Sequence, residues 1–94
     1  MTRPRIETGM KNVKIYTTPY CPFCVRAKRL LERKGVGYEE IDVAGDDEAR
    51  AALAERTGRR TVPQIFIGEM HVGGSDELYA LEQEGKLDPM LQSA

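Results

Sequence analysis

Residues 16–24 read Tyr-Thr-Thr-Pro-Tyr-Cys-Pro-Phe-Cys, and this stretch decides the fold of the chain. It joins an alternating, β-forming segment at 13–17 to a helical segment that begins at Pro22. Proline suits the first turn of a helix, because the N–H that it lacks would have no partner there. The cysteines at 21 and 24 therefore stand where a strand ends and a helix begins. In that position a Cys-x-x-Cys pair is a strong indication of redox chemistry.

The two cysteines are the whole thiol inventory of the sequence. A structural disulfide across so short a loop would remove little entropy from the unfolded chain, and it would not persist in a reducing cytosol. A structural zinc ion needs four ligands, and beyond this pair the chain offers one histidine, the distant His71. Redox chemistry is therefore the favoured interpretation, with metal binding and incidental core cysteines as the alternatives.

The spacing of the two thiols predicts different roles for them. Cys21 directly precedes the helix, where unsatisfied N–H groups and the macrodipole favour the thiolate, which is the nucleophilic form. Cys24 lies one turn inside the helix and faces its apolar stripe, so we expect it to be the less acidic thiol. Cys21 is then the nucleophile, and Cys24 is placed to attack a mixed disulfide formed on Cys21.

The remaining sequence predicts the order β-α-β-α-β-β-α. A parallel pair from the first crossover and antiparallel strands from a later hairpin give an α/β fold, a four-stranded mixed sheet flanked by helices. The predicted strands are 13–17, 38–43, 61–67 and 70–72. The first predicted helix is 22–34, and the second runs from Asp46 or Asp47 to about residue 57 with Ala49, Ala52 and Leu53 inward. A third helix is capped by Ser75 and ended by Gly85, and a short turn or helix follows at 88–91.

Composition limits the partners and the location. The 94 residues suffice for one domain, and a net charge of −1 with mixed basic and acidic residues argues against nucleic acid or an anionic membrane as partner. No apolar run approaches the roughly 18 residues of a spanning helix, and the N-terminus lacks the apolar stretch of a secretory signal. We therefore expect a cytoplasmic protein, with residues 1–10 as a flexible extension and 11–94 as the domain.

Two further segments point to the region of the cysteines. Thr61-Val62-Pro63 enters a strand expected beside the first one, and a cis bond before the proline would expose the backbone of Val62 to a bound peptide. The alternative is a trans proline on an edge strand. Gly73-Gly74-Ser75-Asp76 leads into a helix N-terminus, which suits an anion, while Asp76 suits an ammonium. A ligand with both charges on one carbon would satisfy this segment, and an ordinary helix cap is the alternative.

Taken in order, three segments resemble glutaredoxins of the bacterial dithiol type: residues 16–24, Thr-Val-Pro-Gln-Ile-Phe-Ile at 61–67 and Gly-Gly-Ser-Asp-Glu-Leu at 73–78. The resemblance runs from about Asn12 to Leu91. It implies the thioredoxin-like fold, a cis bond before Pro63 and an enzyme that reduces protein disulfides and glutathione mixed disulfides with glutathione as reductant. It further implies no permanently bound cofactor, a monomer, and disulfide-containing or glutathionylated protein partners, ribonucleotide reductase among them.

The resemblance also implies the site residues. Cys21 and Cys24 are the catalytic pair, and the residues implied to bind glutathione are Phe23, Arg50, Arg59, Thr61, Val62, Pro63, Gly74, Ser75 and Asp76. In this scheme the Val62 backbone pairs with the cysteinyl part, and Ser75 and Asp76 hold the carboxylate and ammonium of the γ-glutamyl end. Arg50, assisted by Arg59, contacts the glycine carboxylate.

Two positions depart from the family pattern, and two other functions compete. Phe23 replaces a more usual tyrosine, and Thr18 stands where many relatives have lysine. A redoxin fed by thioredoxin reductase is one alternative, although the chain has no tryptophan and so lacks the Trp-Cys-Gly-Pro-Cys of thioredoxins. A dimeric iron–sulfur scaffold with glutathione as ligand is the other. Pro22 argues against it, because cluster-carrying glutaredoxins usually have a smaller residue there.

Overall fold

A computed structural model describes residues 12–92, so the predicted extension at 1–10 lies outside the described residues. The elements in chain order are β1 (Val13–Thr17), α1 (Pro22–Arg33), β2 (Glu39–Asp42), α2 (Asp47–Thr57), β3 (Gln64–Ile67), β4 (Met70–Gly73), α3 (Ser75–Gln83) and α4 (Leu87–Leu91). The predicted order is confirmed, and the short segment near the C-terminus is a helix.

The four strands form one mixed sheet in the order β2-β1-β3-β4. β1 pairs with β2 in parallel and with β3 antiparallel, and β3 pairs with β4 antiparallel. Tyr16 near the end of β1 lies opposite Gln64 at the start of β3. The loop that follows β1 and the loop that precedes β3 therefore emerge at the same edge of the sheet. These are the loops that carry Cys21 and Pro63.

The core lies between the sheet and the helices. All four residues of β3 are buried, as expected for a central strand covered on both faces. Ile15, Leu30 and Ile65 are at most 1% exposed, and Leu78 and Leu87 are fully buried beside them. Along α1 the buried positions are Cys24, Ala27, Leu30 and Leu31, so Cys24 lies on the apolar stripe of the helix, as predicted. Packing of this stripe against the sheet sets the depth at which Cys24 sits.

The inner face of α2 differs from the prediction. Ala52 is exposed, and the buried residue of α2 is Leu53. Ala49, also predicted to face inward, is half-buried, as are Arg50, Ala54 and Thr57. The contact face therefore leaves out Ala52 and includes a half-buried arginine, which hydropathy alone does not mark as inward.

The helix and strand ends show which local signals were correct. Asp46 caps α2, where its Oδ1 accepts a hydrogen bond from the N–H of Ala49 at 3.0 Å, and Gly58 ends that helix with a φ of 73°. The N-cap of α3 is Gly74, so the predicted cap at Ser75 is wrong, and Ser75 is the first helical residue. Strand β3 begins only at Gln64, because Pro63 has no N–H for a sheet hydrogen bond.

Candidate active site

The two cysteines occupy the first turn of α1. Cys21 is the N-cap residue with extended backbone, and its Sγ accepts a hydrogen bond from the N–H of Cys24 at 3.3 Å. Pro22 takes the first helical position, where the helix has no use for an N–H. Both thiols are free, Cys21 is half-buried and Cys24 is only 1% exposed. The predicted placement of an outer and an inner thiol is therefore what the structure shows.

The environment of Cys24 keeps this thiol protonated. The pKa of Cys24 is raised from 9.0 to about 12, with burial as the largest cause, and its hydrogen bond with Cys21 and the charge of Cys21 act in the same direction. The backbone of Thr18 and the ammonium of Lys28 lower the pKa, but they do not offset burial. Lys28 is itself paired with Glu40 at 2.9 Å. At neutral pH the inner thiol is therefore a poor nucleophile while Cys21 remains unreacted.

The segment before β3 lies directly beside Cys21. The peptide bond between Val62 and Pro63 is cis, which confirms the expected isomer. The Cys21 Sγ lies 3.8 Å from the carbonyl oxygen of Val62, within reach of a weak S–H···O hydrogen bond. These residues are 41 positions apart in the chain, and the β1–β3 pairing brings them together.

A groove of about 350 Å³ opens in the same region. Its lining residues are Phe23, Arg59, Thr61, Val62, Pro63, Gly74, Ser75, Asp76 and Glu77. All the residues predicted to bind glutathione are therefore brought together except one. Arg50 is not among the lining residues, and its Nη2 donates to the carbonyl oxygen of Arg60 at 3.3 Å. A role for Arg50 in binding stays a prediction.

Glu77 is a lining residue that sequence reasoning missed. Its Oε1 accepts from the N–H of Gly74 at 2.6 Å, and its two oxygens pair with Nη1 and Nη2 of Arg59, each at 3.0 Å. These contacts lower the pKa of Glu77 to about 2, with the Arg59 hydrogen bonds as the largest cause. The signal that could have found Glu77 is its place three residues after the N-cap, where a capping-box glutamate belongs.

Gln64 and His71 form a second group that sequence reasoning missed, and Gln64 holds Thr61 in place. Gln64 is fully buried, and its Nε2 donates to the carbonyl oxygen of Thr61 at 3.0 Å and to its Oγ1 at 3.3 Å. The Gln64 Oε1 lies 2.6 Å from Nε2 of His71. Burial and the nearby Arg59 lower the pKa of His71, which favours its neutral ring. Because the Gln64 Nε2 donates to Thr61, its Oε1 suits the tautomer of His71 that carries a hydrogen on Nε2. No periodic pattern marks this network, because it depends on the β3–β4 pairing.

Large side chains close to Cys21 in the chain are exposed. Tyr20 is fully exposed at 102% and has a φ of 62°, unusual for a residue other than glycine. Phe23 and Val25 are 53% and 41% exposed. The Arg26 guanidinium lies 4.8 Å from the ring centroid of Tyr79 and 6.0 Å from that of Phe23. Three large exposed side chains therefore lie within four residues of Cys21 along the chain.

Within residues 12–92, no group of three or more histidine, cysteine, aspartate or glutamate side chains is arranged to hold a metal ion. In the same part of the chain no helix has the length and apolar character needed to cross a membrane.

The fold and the site together define a thioredoxin-like thiol–disulfide protein, with an N-cap cysteine, a buried partner thiol and an adjacent cis-proline. A sequence model of the glutaredoxin family matches residues 13–72. The glutaredoxin of Pseudomonas aeruginosa is 58% identical over 84 residues, which cover 89% of this chain and all of that relative. Glutaredoxin 3 of Escherichia coli K12 is 52% identical over 83 residues, which cover 88% of this chain and all of that relative.

Solved structures agree with the sequence relatives. The solution structure of glutaredoxin from Brucella melitensis matches with a TM-score of 0.82 and 59% identity, covering 90% of this chain and 92% of that one. A crystal structure of a buckwheat glutaredoxin–glutathione complex matches with a TM-score of 0.81 and 39% identity, covering 84% of this chain and 74% of that one. The chain belongs to the glutaredoxin family. As a member it is, in general terms, a glutathione-dependent thiol–disulfide oxidoreductase.

Proposed function

We propose that this protein reduces glutathione mixed disulfides and protein disulfides at the expense of glutathione, with Cys21 as nucleophile and Cys24 as resolving thiol. The observation that carries the proposal is the position of the nucleophile beside the groove. The Cys21 Sγ lies 3.8 Å from the carbonyl oxygen of Val62, and Val62 lines the groove. A tripeptide held in the groove by its backbone would present its sulfur to Cys21.

Removal of glutathione from a protein needs only the outer thiol. The Cys21 thiolate, supported by the N–H of Cys24, attacks the glutathione sulfur of the mixed disulfide. The S–S bond breaks, a disulfide forms between Cys21 and glutathione, and the protein thiolate leaves and takes up a proton. A second glutathione thiolate then attacks the glutathione sulfur of that adduct. Oxidised glutathione is released, and the Cys21 thiolate is restored.

Reduction of a protein disulfide uses both thiols. Cys21 attacks one sulfur of the target and becomes joined to it, while the other target sulfur leaves as a thiolate. Cys24 then loses its proton and attacks the Cys21 Sγ, which releases the second target thiol and leaves a disulfide between Cys21 and Cys24. Two glutathione molecules return this disulfide to thiols and become oxidised glutathione.

The electrostatics of Cys24 support this order of events. The contributions of Cys21 to the high Cys24 pKa are a hydrogen bond and a charge, and the charge disappears once Cys21 is part of a mixed disulfide. The hydrogen bond also weakens, because a neutral disulfide sulfur is a poorer acceptor than a thiolate, so burial remains as the main cause of the raised pKa. Cys24 therefore becomes a stronger acid in the intermediate that it must attack, and it stays protonated before that.

The groove supplies groups of the right charge for a tripeptide with a zwitterionic end. Ser75 begins α3, whose N–H groups suit an α-carboxylate, and the neighbouring Asp76 suits an α-ammonium. The backbone of Val62 would pair with the cysteinyl residue, while Thr61 borders the groove and Phe23 covers it. Ribonucleotide reductase and glutathionylated proteins are the targets that we propose. The cytoplasm is the proposed location, because two free thiols stay reduced there.

Two substitutions test the division of labour. Cys21→Ser should abolish both activities, because each begins with attack by Cys21. Cys24→Ser should spare release of glutathione from a mixed disulfide and impair reduction of a protein disulfide. The assay couples oxidised glutathione to glutathione reductase, with thioredoxin reductase as the alternative electron source in a parallel reaction. Equal loss of both activities in Cys24→Ser, or turnover with thioredoxin reductase alone, would contradict the proposal.

A further inference from the structure

Glu77 joins the two walls of the groove. One wall is the segment from Arg59 to Pro63, which leads from α2 into β3, and the other is the start of α3 from Gly74 to Glu77. The Glu77 carboxylate contacts both walls, because Oε1 accepts from the Gly74 N–H at 2.6 Å and from Arg59 Nη1 at 3.0 Å. Oε2 accepts from Arg59 Nη2 at 3.0 Å. Both carboxylate oxygens therefore take part in a bidentate arginine–carboxylate pair, whose two parallel hydrogen bonds fix its geometry.

The arginine end of this contact is anchored to α2. The backbone N–H of Arg59 donates to Oγ1 of Thr57 at 3.1 Å, and that hydroxyl donates to the carbonyl oxygen of Leu53 at 2.9 Å. Leu53 is the buried residue of α2. The position of Arg59 is thus tied to the core, and Glu77 passes this restraint to the N-terminus of α3.

The two glycines before α3 leave room for the carboxylate. A Cβ on Gly73 would lie 2.8 Å from the Glu77 Oε1, and its φ of 122° is unfavourable for other residues. A Cβ on Gly74 would lie 3.3 Å from the carbonyl oxygen of Pro63 and 3.4 Å from the same Glu77 oxygen. The close approach of Glu77, Gly74 and Pro63 therefore depends on the absence of side chains at 73 and 74.

We infer that Glu77 is a positioning residue for glutathione, and that Arg59 serves as the partner of Glu77 rather than as a ligand of a substrate carboxylate. This inference rests on the proposed function and replaces the assisting role that the family resemblance implies for Arg59. Glu77 sets the distance between the Val62 backbone and the first turn of α3. A ligand that contacts both at once is sensitive to that distance. A small disulfide that reacts only at Cys21 is not sensitive to that distance.

Four variants test the inference through the split between KM and kcat. Glu77→Gln keeps an oxygen for Gly74 but loses the charge that holds Arg59, and Arg59→Gln removes the other half of the pair. We expect each to raise the KM for a glutathione mixed disulfide by about three- to tenfold with kcat within about twofold of the wild type. The double variant should be no worse than the more affected single variant, because both remove the same contact. Arg59→Lys, which has no fork, should be intermediate.

The controls separate a local defect from a general one. Glu82→Gln on α3 removes the 2.6 Å ion pair between Glu82 and Lys34, neither of which lines the groove. This variant should leave the KM unchanged. Single-turnover reduction of bis(2-hydroxyethyl) disulfide without glutathione should be unchanged in all variants. Amide hydrogen exchange at Gly74 should be faster in Glu77→Ala than in the wild type, and this measurement needs no substrate.

Specific results would overturn the inference. A lower KM in Glu77→Gln together with a higher KM in Arg59→Gln would show that Arg59 binds the substrate and that Glu77 competes for it. An unchanged KM in both variants, or unchanged Gly74 exchange in Glu77→Ala, would also contradict it. Failure of the proposed function looks different, because the wild type itself would then show no glutathione-dependent turnover. The Gly74 exchange would still report on the contact in that case.

Discussion

Selective alkylation of the two cysteines offers a direct test of how the fold treats them. The Cys24 pKa of about 12, against an ordinary value of 9.0, corresponds to roughly a thousandfold less thiolate at any pH well below 9. Only the thiolate reacts with iodoacetamide, so ionisation alone should slow Cys24 by about that factor. The 1% exposure of Cys24 adds a steric barrier, whereas Cys21 is only half-buried, beside Val62 of the groove. We therefore expect one label per molecule, on Cys21.

The assay is peptide mapping by mass spectrometry after timed labelling at pH 8. The same chain unfolded in guanidinium chloride is the control, and there both cysteines should be labelled at similar rates. In Cys21→Ser the charge of Cys21 is gone but burial remains, so Cys24 should react faster than in the wild type and still far slower than in the unfolded chain. Labelling of Cys24 in the folded wild type at close to its unfolded rate would refute the view that the fold holds this thiol neutral.

Three further predictions concern Asp76, Tyr20 and alkaline stability. Asp76→Asn should lower kcat/KM for glutathione mixed disulfides by several-fold to about tenfold and leave thermal stability nearly unchanged. The reason is that a charge-assisted hydrogen bond is lost in an open groove. Equal losses on a disulfide without a γ-glutamyl group would mean that Asp76 is structural. Tyr20→Gly should raise the free energy of unfolding by at most about 1.5 kcal/mol in a denaturant titration, since relief of about 1–2 kcal/mol of left-handed strain is at least as large as the entropic cost of glycine, roughly 0.5–1 kcal/mol. A clear fall in stability would show that the exposed ring packs on the protein. Between pH 9 and 12 the folded protein keeps the Cys24 proton that the unfolded chain has released, so this group should reduce stability as pH rises, with a slope of at most about 1.4 kcal/mol per pH unit. Cys24→Ala should show a shallower decline over that window in the same titration, and parallel curves for the two proteins would contradict the raised pKa.

Much of the fold could be predicted because its signals are local. The alternation at Val13–Thr17, Pro22 at the first helical position and the end of α2 at Thr57 each depend on residues close in the chain, and each is found as expected. One error occurred where packing overrides hydropathy, because Ala52 faces solvent while α2 packs through Leu53. The other error was a missed local signal, because Glu77 stands three residues after Gly74, accepts the Gly74 N–H and so marks Gly74 as the N-cap of α3.

The sequence by itself determined the order of strands and helices and the unequal character of the two thiols. The order follows from interactions within about one turn of helix or one strand, and the spacing of the cysteines places Cys24 on the inward face of α1. The burial that most raises the Cys24 pKa is completed by the packing of α1. The tertiary structure alone decided which distant groups meet. It placed the Cys21 Sγ 3.8 Å from the carbonyl oxygen of Val62. It also paired Arg59 with Glu77 in an ion pair and placed Arg50 in a hydrogen bond with the backbone of Arg60. The physical reason is that a long charged side chain can reach several partners, and only the packed sheet and helices determine which of them lies within hydrogen-bond distance.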